Sequence, residues 1–349
     1  MNSSYRSVIL LMNLGSPDST SVKDVRKYLN EFLMDERVID IPKLPRTLLV
    51  KGIIVPFRAP KSAEAYRSIW TKEGSPLIVL TKNLQRSVQA VFKEPVEICM
   101  RYGNPSTADV LKKIHREYAG VEEIVLFPLY PHYAMSSYET AVQQVKDIHK
   151  EEGYPSSLKV IEPYYDHPAY INALAESIRH YIQDDYDKIL FSYHGVPERH
   201  IKKGDTTGCH CLKVNDCCNV ASSAHAQCYR HQCFVTTKLV AEALNIPAGK
   251  LEQTFQSRLG RDPWLQPYTA KRLEELPKEG VKKLLIVCPA FVSDCLETLE
   301  EIAVEGKHIF MEAGGESFKA IPCLNTQPLW VETMKGLISG AMKASSQPV

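Results

Sequence analysis

The chain has 349 residues, which is long enough for two domains of ordinary size or one large α/β unit with a buried core. Its 42 Lys and Arg residues nearly balance its 41 Asp and Glu residues, so the net charge argues against a nucleic-acid or an acidic partner. The apolar run before Gly15 is too short to span a membrane and lacks a small-residue cleavage site. We therefore expect a globular cytoplasmic protein, whose oligomeric state the sequence leaves open.

Short apolar runs alternate with helical patterns from one end of the chain to the other. Strands are predicted at residues 8–14, 96–100, 124–127, 159–161, 189–191, 251–255, 284–287 and 308–311. Helices are predicted at residues 22–32, where Ser21 and Asp24 form a capping pattern, and at residues 106–118, 138–149 and 328–343. Near-continuous apolar strands are typical of a parallel sheet that helices cover on both faces.

The repeated strand–helix pattern predicts an α/β fold with two Rossmann-like domains, each a parallel sheet flanked by helices. We place the first domain at residues 1–155 and the second at residues 156–327, with the boundary near Gly153 and Pro155. Residues 328–349 contain a last helix, for which packing back on the first domain is one option.

The segment of about residues 41–70 departs from this pattern, because four prolines interrupt its apolar residues and Lys51, Arg58 and Lys61 lie among them. One interpretation is a helix-rich excursion of the core. The other is an apolar lip over a flat apolar ligand, with peripheral contact to a membrane surface as a further option.

Residues directly after the strands are the functional candidates, because ligands of open α/β sheets bind beyond the carboxyl ends of the strands. His194 follows the strand at 189–191 and precedes Gly195 and Pro197, on a sharp turn that leaves its imidazole free to point into a cleft. A structural histidine is the competing interpretation.

Three carboxylates follow the strand at 284–287. If a helix begins near Ser293, then Asp294, Glu297 and Glu301 lie on one of its faces. They are either a solvated helix face near a favourable N-terminal dipole or, opposite a histidine, a route for protons and cations.

Two further segments that follow strands carry positive charge and aromatic rings. Arg101 and Tyr102 follow the strand at 96–100, and Trp264 lies beyond the strand at 251–255. Arginines there could clamp carboxylates and Trp264 could be the wall for a planar ring, although ion pairs or core packing explain these residues equally well.

Together these motifs resemble those of one family, the ferrochelatases. The motifs that carry the resemblance, in matching order and approximate spacing, are residues 14–17, 58–61, 74–77, 191–197, 263–265 and 293–299. The resemblance runs from about residue 6 to residue 343 and is closest to the proteobacterial branch, through Ser-Tyr-His-Gly, Gln-Ser-Arg and Cys-Leu-Glu-Thr-Leu-Glu-Glu.

The resemblance implies a chelatase-type fold with a porphyrin cleft between its two domains. It implies the insertion of Fe²⁺ into protoporphyrin IX to form protohaem with release of two protons, the terminal step of haem biosynthesis. His194 and Glu297 match the pair at the metal-insertion site, and Asp294 and Glu301 match its acidic path for protons and metal. The positions that match the family's porphyrin pocket are Leu14, Arg58, Lys61, Tyr66, Arg101, Tyr102 and Trp264.

This reaction needs a flat apolar slot, cations for two propionates, and a base for two pyrrole protons. A neutral imidazole is a good base and metal ligand near pH 7, and a carboxylate opposite it can hold or relay the incoming ion. Cys295 stands where many members of the family carry histidine, so a proton-transfer role assigned to that histidine is in doubt here.

Cysteines cluster in an insert of about residues 206–233, after Gly204 and Asp205. The insert holds six of the ten cysteines of the chain, Cys209, Cys211, Cys217, Cys218, Cys228 and Cys233. A cytoplasmic protein seldom uses disulfides, so four of these thiols are expected to bind a [2Fe-2S] cluster or a zinc ion, with unligated thiols as a third option. Some bacterial ferrochelatases resemble this chain in carrying an internal four-cysteine segment that binds a [2Fe-2S] cluster, which favours the cluster.

Three other functions compete with this interpretation. One is a chelatase of the same architecture for another metal or tetrapyrrole, such as cobalt or coproporphyrin. Another is a non-catalytic iron-sulfur or haem sensor, which the loss of His194 or Glu297 would have favoured. Nucleotide binding is disfavoured because no Gly-x-Gly-x-x-Gly motif follows the first strand.

Overall fold

The computed structural model describes residues 5–118, 120–260 and 262–343. The described residues divide into two compact units, one within residues 5–129, 135–162 and 326–343 and the other within residues 130–134 and 163–325. The predicted boundary near residue 155 therefore falls inside the first unit. Residues 344–349, which we assigned to the C-terminal segment, lie outside the described residues.

Each unit contains a four-stranded sheet whose strands all pair in parallel. The strands are β1 (Ser7–Ser16), β2 (Val96–Gly103), β3 (Glu123–Pro128), β4 (Ser157–Val160), β5 (Lys188–His194), β6 (Leu251–Gln256), β7 (Lys283–Val287) and β8 (Ser317–Ala320). The strand order is β2-β1-β3-β4 in the first unit and β6-β5-β7-β8 in the second. The two units thus repeat one topology.

Helices connect the strands and cover the sheets. The α-helices are α1 (Val22–Leu33), α2 (Lys43–Thr47), α3 (Val55–Ile69), α4 (Pro76–Gln89), α5 (Thr107–Glu117), α6 (Thr140–Glu151), α7 (Pro168–Arg179), α8 (Glu198–Gly204), α9 (Tyr229–Leu244), α10 (Thr269–Glu275), α11 (Lys307–Glu312) and α12 (Pro328–Lys343). The π-helical segments are Leu48–Ile54, Met135–Glu139 and Glu297–Gly306, and the 3₁₀ segments are Tyr181–Gln183, Ser223–Gln227, Ala248–Lys250 and Leu276–Glu279. Ser21 caps α1 as the pattern predicted, because its hydroxyl accepts a hydrogen bond from the Asp24 amide at 3.1 Å.

The inner strands β1 and β5 are buried because apolar side chains alternate onto two helix-covered faces. Residues 8–12 of β1 and residues 189–191 of β5 are fully buried. Such continuous burial is what the apolar runs predicted, and the α/β prediction of two parallel sheets flanked by helices is confirmed. In the second unit the strand order reverses between β5 and β7, so a ligand site is expected at the carboxyl ends of these two strands.

Helix α12 packs on the first unit. Its Trp330 is fully buried, and the ring centroid lies 6.1 Å from that of Phe127 on β3. No helix in the described part of the chain is long and apolar enough to cross a membrane.

Two sequence predictions around the last strand are wrong. Residues 308–311 form part of α11 rather than a strand, because the π-helical segment Glu297–Gly306 continues into α11 and buries Phe310 on a helical face. The last strand is β8, a short edge strand in which Phe318 alone is buried. The helix expected to begin near Ser293 begins as the π-helical segment at Glu297, which leaves Asp294 outside it.

The lip segment is a nearly continuous helical run with two apolar sides. One side, which includes Val50, Val55, Ala59 and Ala63, is buried in the first unit. The other side presents large apolar side chains that are 58 to 77% exposed: Leu44, Leu48, Ile53 and Phe57. The buried side belongs to the core of the first unit, and contact of the exposed side with a flat ligand or a membrane stays a prediction.

Candidate functional site

His194 is the last residue of β5, so the strand presents its imidazole at the carboxyl edge of the second sheet. The ring Nδ1 lies 2.7 Å from the carbonyl oxygen of Gly195. A carbonyl oxygen only accepts hydrogen bonds, so the neutral ring carries its proton on Nδ1 and keeps the lone pair on Nε2. The strand end therefore presents a base.

The turn after His194 is fixed by close backbone packing. A side chain at Gly195 would place its Cβ 2.7 Å from the Gln256 carbonyl oxygen and 3.2 Å from the Trp264 ring, so only glycine fits. Pro197 and Trp264 also form a backbone bridge, and the Leu265 amide donates to the Val196 carbonyl at 3.1 Å. The Trp264 segment thereby holds the turn that carries His194.

Trp264 itself is almost fully buried beside this turn. Its indole Nε1–H is buried and has no hydrogen-bond partner among the described residues. Buried donors in native proteins are normally paired, so this group is a candidate contact for a bound polar group.

Glu301 is half-buried in the second unit near His194 and Glu297. The Ser257 amide donates to its Oε1 at 2.8 Å and the Ser257 hydroxyl donates to its Oε2 at 2.5 Å. Burial raises the pKa of Glu301 and the charge of Glu297 raises it further, while the Ser257 hydrogen bonds and the charge of His194 oppose the shift. The carboxyl therefore holds a proton to higher pH than a surface glutamate does.

Glu297 begins the π-helical segment, and its backbone accepts a hydrogen bond from Gln256 at the end of β6. Gln256 Nε2 donates to the Glu297 carbonyl at 3.3 Å, and Gln256 Oε1 accepts from the Ser192 hydroxyl at 2.7 Å. In a π-helix, whose hydrogen bonds run from residue i to residue i+5, residues four apart lie nearly above one another, so Glu297 and Glu301 share a face.

Cys295 lies two residues before Glu297. Burial, and then the nearby Glu297 charge, hold the pKa of the Cys295 thiol well above its ordinary value.

Asp294 precedes the π-helical segment and its carboxylate is fully engaged. It accepts from the Thr298 hydroxyl at 2.9 Å, from Asn325 Nδ2 at 2.7 Å and from the Cys323 amide at 3.3 Å. These contacts fasten the start of the helix, and the acidic path predicted for Asp294 and Glu301 stays a prediction.

The other predicted porphyrin contacts lie in the first unit. Leu14 is near the end of β1 and Tyr66 is buried on α3, where Arg58 is half-buried and Lys61 exposed. Arg101 and Tyr102 lie near the end of β2, and their contacts are internal. Arg101 forms an ion pair with Asp35 and lies over the Tyr102 ring at 4.3 Å, and the Tyr102 hydroxyl donates to the same Asp35 at 2.8 Å. Porphyrin contacts by these residues stay predictions.

Two positioning residues of the second unit escaped the sequence analysis. Ser257 holds Glu301 with both its amide and hydroxyl groups from a left-handed backbone conformation, with φ of 65°. Gln256 joins the ends of β5 and β6 to the start of the π-helical segment. Both residues belong to the Gln-Ser-Arg motif of the resemblance and lie at a strand end, but neither signal indicated their contacts with Glu301 or with the π-helical segment.

The six candidate cysteines separate into two groups. Cys209 is exposed, and Cys233 is buried in α9 beside Tyr229. The other four, Cys211, Cys217, Cys218 and Cys228, are buried near one another. The thiols of Cys218 and Cys211 donate hydrogen bonds to the Cys228 sulfur atom, and the bond from Cys218 is the main cause that lowers the pKa of Cys228.

Hydrogen-bond donors point at the sulfur atoms of this group. The Leu212 amide lies 3.4 Å from Cys217 Sγ, and Arg230 Nη1 lies 3.3 Å from Cys218 Sγ. Across residues 5–118, 120–260 and 262–343, however, no three His, Cys, Asp or Glu side chains are arranged as a metal site. The predicted cluster or zinc ion is therefore not confirmed.

The cysteine segment is linked to the candidate catalytic residue through one side chain. Tyr229 directly follows Cys228, and its hydroxyl donates to the His194 carbonyl oxygen at 2.9 Å. This hydrogen bond joins the residue that follows Cys228 to the end of β5.

Comparison with known sequences gives a consistent family. The family model described as Ferrochelatase matches residues 6–342. A protein named Ferrochelatase from Opitutus terrae is 50% identical over 340 residues, which cover 97% of this chain and 98% of the relative. Another with that name, from Pseudomonas entomophila, is 51% identical over 335 residues, which cover 95% of this chain and 98% of the relative.

Comparison with solved structures concerns the fold. The structure of SirB from Bacillus subtilis with Fe³⁺ aligns over 98% of both chains with a TM-score of 0.54 and 12% identity. That of the sirohydrochlorin chelatase SirB from Bacillus subtilis subspecies spizizenii in complex with cobalt has the same TM-score at 11% identity, with 98% of each chain covered. Both support the assignment of two parallel α/β sheets.

Proposed function

This chain belongs to the ferrochelatase family, and we propose on that premise that its second unit inserts Fe²⁺ into a porphyrin through His194, Glu297 and Glu301. The protein is a metal-chelatase lyase of haem synthesis with a porphyrin and ferrous iron as substrates, so the function predicted from the motifs is confirmed. The roles of individual residues and the identity of the porphyrin as protoporphyrin IX are our proposal.

The single observation that carries the assignment is the hydrogen bond from His194 Nδ1 to the Gly195 carbonyl. It fixes the tautomer in which Nε2 is unprotonated, and Nε2 is therefore ready to take a pyrrole proton near neutral pH. Metallation exchanges two pyrrole protons for one Fe²⁺, so the porphyrin gives one proton to His194 and a second acceptor is needed.

The second acceptor is the carboxylate pair of the π-helical segment. Glu297 meets the incoming Fe²⁺, because a carboxylate oxygen is a suitable ligand for the hydrated ion and lowers the cost of removing its water. Glu301 takes a proton from the site, since its raised pKa matches proton exchange closer to neutral pH than an ordinary glutamate allows. Ser257 holds Glu301 in place for this transfer.

Haem formation from Fe²⁺ and protoporphyrin IX under anaerobic conditions tests this proposal, with coproporphyrin as the competing substrate. Faster conversion of protoporphyrin supports the proposed substrate. Exclusive conversion of coproporphyrin would contradict it.

We also assign the cysteine group a [2Fe-2S] cluster, held by Cys211, Cys217, Cys218 and Cys228. The donor set suits it, because all four thiols are buried and close together, and donors from Leu212 and Arg230 face their sulfur atoms. When bound, such a cluster supplies a one-electron redox couple and a cross-link between the two ends of the insert. Cys228, one of the residues that would hold the cluster, precedes Tyr229, whose hydroxyl donates to the His194 carbonyl oxygen.

Replacing Cys228 by serine is expected to abolish the cluster and to lower activity, because Tyr229 loses its anchor beside His194. The measurement is iron and acid-labile sulfide content together with the visible spectrum after anaerobic purification. Cys209→Ser is the matched control, since Cys209 is exposed outside the group and its loss leaves the cluster intact. If the wild-type protein is colourless and contains zinc, the cysteine group is a zinc site and the cluster assignment is wrong.

The exposed side of the lip is proposed to contact a membrane surface peripherally. Its large apolar side chains are accompanied by the exposed Lys43, Lys51 and Lys61, which suits the interface of an anionic bilayer.

The double substitution Leu48→Ser and Phe57→Ser is expected to weaken binding to vesicles of anionic and zwitterionic phospholipids by about tenfold or more, since burying each such side chain contributes about 1.5 kcal/mol or more. Vesicle flotation measures the effect. Leu329→Ser, which removes a half-exposed leucine from α12, is the control and is expected to bind as the wild type does. If the double variant and the wild type float equally, the lip does not contact the membrane.

A further inference from the structure

The four buried cysteines lie beside the start of α9, where Arg230 extends its guanidinium group toward them. Its Nη1 lies 3.3 Å from Cys218 Sγ and 3.8 Å from Cys217 Sγ, so one donor reaches both adjacent cysteines. The guanidinium carbon lies 4.9 Å from the centroid of the Phe234 ring, one turn farther along α9. The orientation of the group is therefore held by a partner on its own helix.

We propose that Arg230 is the positioning residue that stabilises the reduced state of the cluster bound at this site and retards its loss. The inference rests on the cluster assigned above. It concerns Arg230, which is expected to change the reduction potential and the rate of loss of the cluster, and not the four cysteine ligands.

The physical reason is charge. A cluster with four thiolate ligands carries net negative charge, and one-electron reduction adds another negative charge inside a buried site. A guanidinium is always protonated and its hydrogen bonds to an anion are charge-assisted, so Arg230 stabilises the reduced form more than the oxidised form. Loss of its charge therefore makes the reduction potential more negative.

Histidine rings hold the cysteine backbone independently of Arg230. His210 Nε2 and His225 Nε2 lie 2.8 Å and 2.9 Å from the Cys217 carbonyl oxygen, and His231 Nδ1 lies 2.8 Å from the Cys218 carbonyl oxygen. Because these oxygens accept from three rings, the Cys217–Cys218 dipeptide stays in place when Arg230 is replaced.

The carboxylate that opposes Arg230 is Asp205, whose charge acts on the Cys211 thiol. Asp205 accepts from the amides of His210 and Cys211 at 2.8 Å and 2.9 Å and from the Thr207 hydroxyl at 2.6 Å. Asp205 is the same in the wild type and in the Arg230 variants, so a comparison of these proteins measures the effect of Arg230 on the sulfur atoms.

The experiment compares wild type, Arg230→Gln, Arg230→Lys and the control Lys213→Gln. Lys213 is an exposed cation of the same insert, and its Nζ donates to the Gly208 carbonyl at 2.6 Å rather than to sulfur. Iron and acid-labile sulfide are determined first, folding is checked by circular dichroism, and the midpoint potential and the rate of cluster loss are then followed by electron paramagnetic resonance and visible absorbance.

In Arg230→Gln we expect the equilibrium constant for reduction to fall about tenfold or more, a shift of about 59 mV to more negative potential for a one-electron couple, and faster cluster loss. Arg230→Lys retains the charge and is expected to fall between wild type and Arg230→Gln, while Lys213→Gln matches the wild type. A folded Arg230→Gln protein isolated without cluster, while Arg230→Lys keeps it, also supports the charge role.

Two results would overturn the inference, and they are distinguishable. If wild type holds iron and sulfide while Arg230→Gln has the wild-type potential and stability, Arg230 has no such role although the cluster stands. The same conclusion holds if Arg230→Lys changes as much as Arg230→Gln. If wild type holds neither iron nor sulfide, the cluster assignment itself fails and the role of Arg230 fails with it.

Discussion

Replacing His194 by alanine is expected to lower kcat for haem formation by about 10² to 10⁴-fold, the usual contribution of a positioned acid–base group. The loss follows from Nε2, which the Gly195 hydrogen bond leaves as the unprotonated atom of the ring. Because His194 is one residue at the end of β5, porphyrin affinity should change far less than kcat. Anaerobic absorbance of the porphyrin and haem bands gives the rate, and fluorescence quenching of porphyrin gives the affinity.

His308→Ala is the matched control for this variant. His308 is an exposed histidine of α11 in the same unit, paired with Glu312 at 3.3 Å, and its removal should leave both quantities unchanged. If the His194→Ala protein forms haem within a few-fold of the wild-type rate, His194 is not the base.

Replacing Glu297 by glutamine is expected to lower kcat by about the same 10² to 10⁴-fold, because the amide preserves the shape of the side chain but neither takes a proton nor compensates Fe²⁺ charge. A second effect follows for Glu301, whose pKa is raised first by burial and further by the Glu297 charge. Without that charge the pKa of Glu301 falls. The acidic limb of the residual activity should therefore move to lower pH.

Glu305→Gln is the control, since Glu305 is an exposed carboxylate of the same π-helical segment. Full activity of Glu297→Gln, or an acidic limb that moves to higher pH, would show that Glu297 neither meets the metal nor acts on Glu301.

The link between protonation and stability has a definite sign here. Glu301 binds its proton more tightly in the folded than in the unfolded chain, because burial raises its pKa. Its contribution to stability is therefore fully present below the ordinary glutamate pKa and is lost as the pH rises through the raised value. The Ser257 hydrogen bonds limit this loss, because they stabilise the charged carboxylate.

Most of the sheet architecture could be predicted from the sequence, because seven of the eight strands coincide with predicted short apolar runs that alternate with helical patterns. The eighth could not: β8 is a short edge strand with a single buried residue, whereas Ile309 and Phe310 form a stronger apolar run inside a helix. The repeated topology of the two sheets was also hidden, because strand order is set by pairing and not by local residue pattern.

The candidate site was predictable where residues with reactive side chains directly follow a strand in the sequence. His194 ends β5, and Glu297 and Glu301 share a face as their spacing suggested, although on a π-helical segment. The role of Ser257 depends on a left-handed backbone and on a partner 44 residues away, which no local pattern reveals. The choice among six cysteines likewise required burial and thiol contacts that only the folded insert provides.

The measurement that tests the central claim most directly is anaerobic haem formation from Fe²⁺ and protoporphyrin IX, with wild type and the His194→Ala, Glu297→Gln double variant assayed side by side. The account predicts conversion by the wild type with two protons released for each haem, and porphyrin binding without conversion by the double variant. Equal rates for the two proteins would place the chemistry at other residues, and porphyrin binding without conversion by the wild type would make the protein a porphyrin-binding sensor rather than an enzyme.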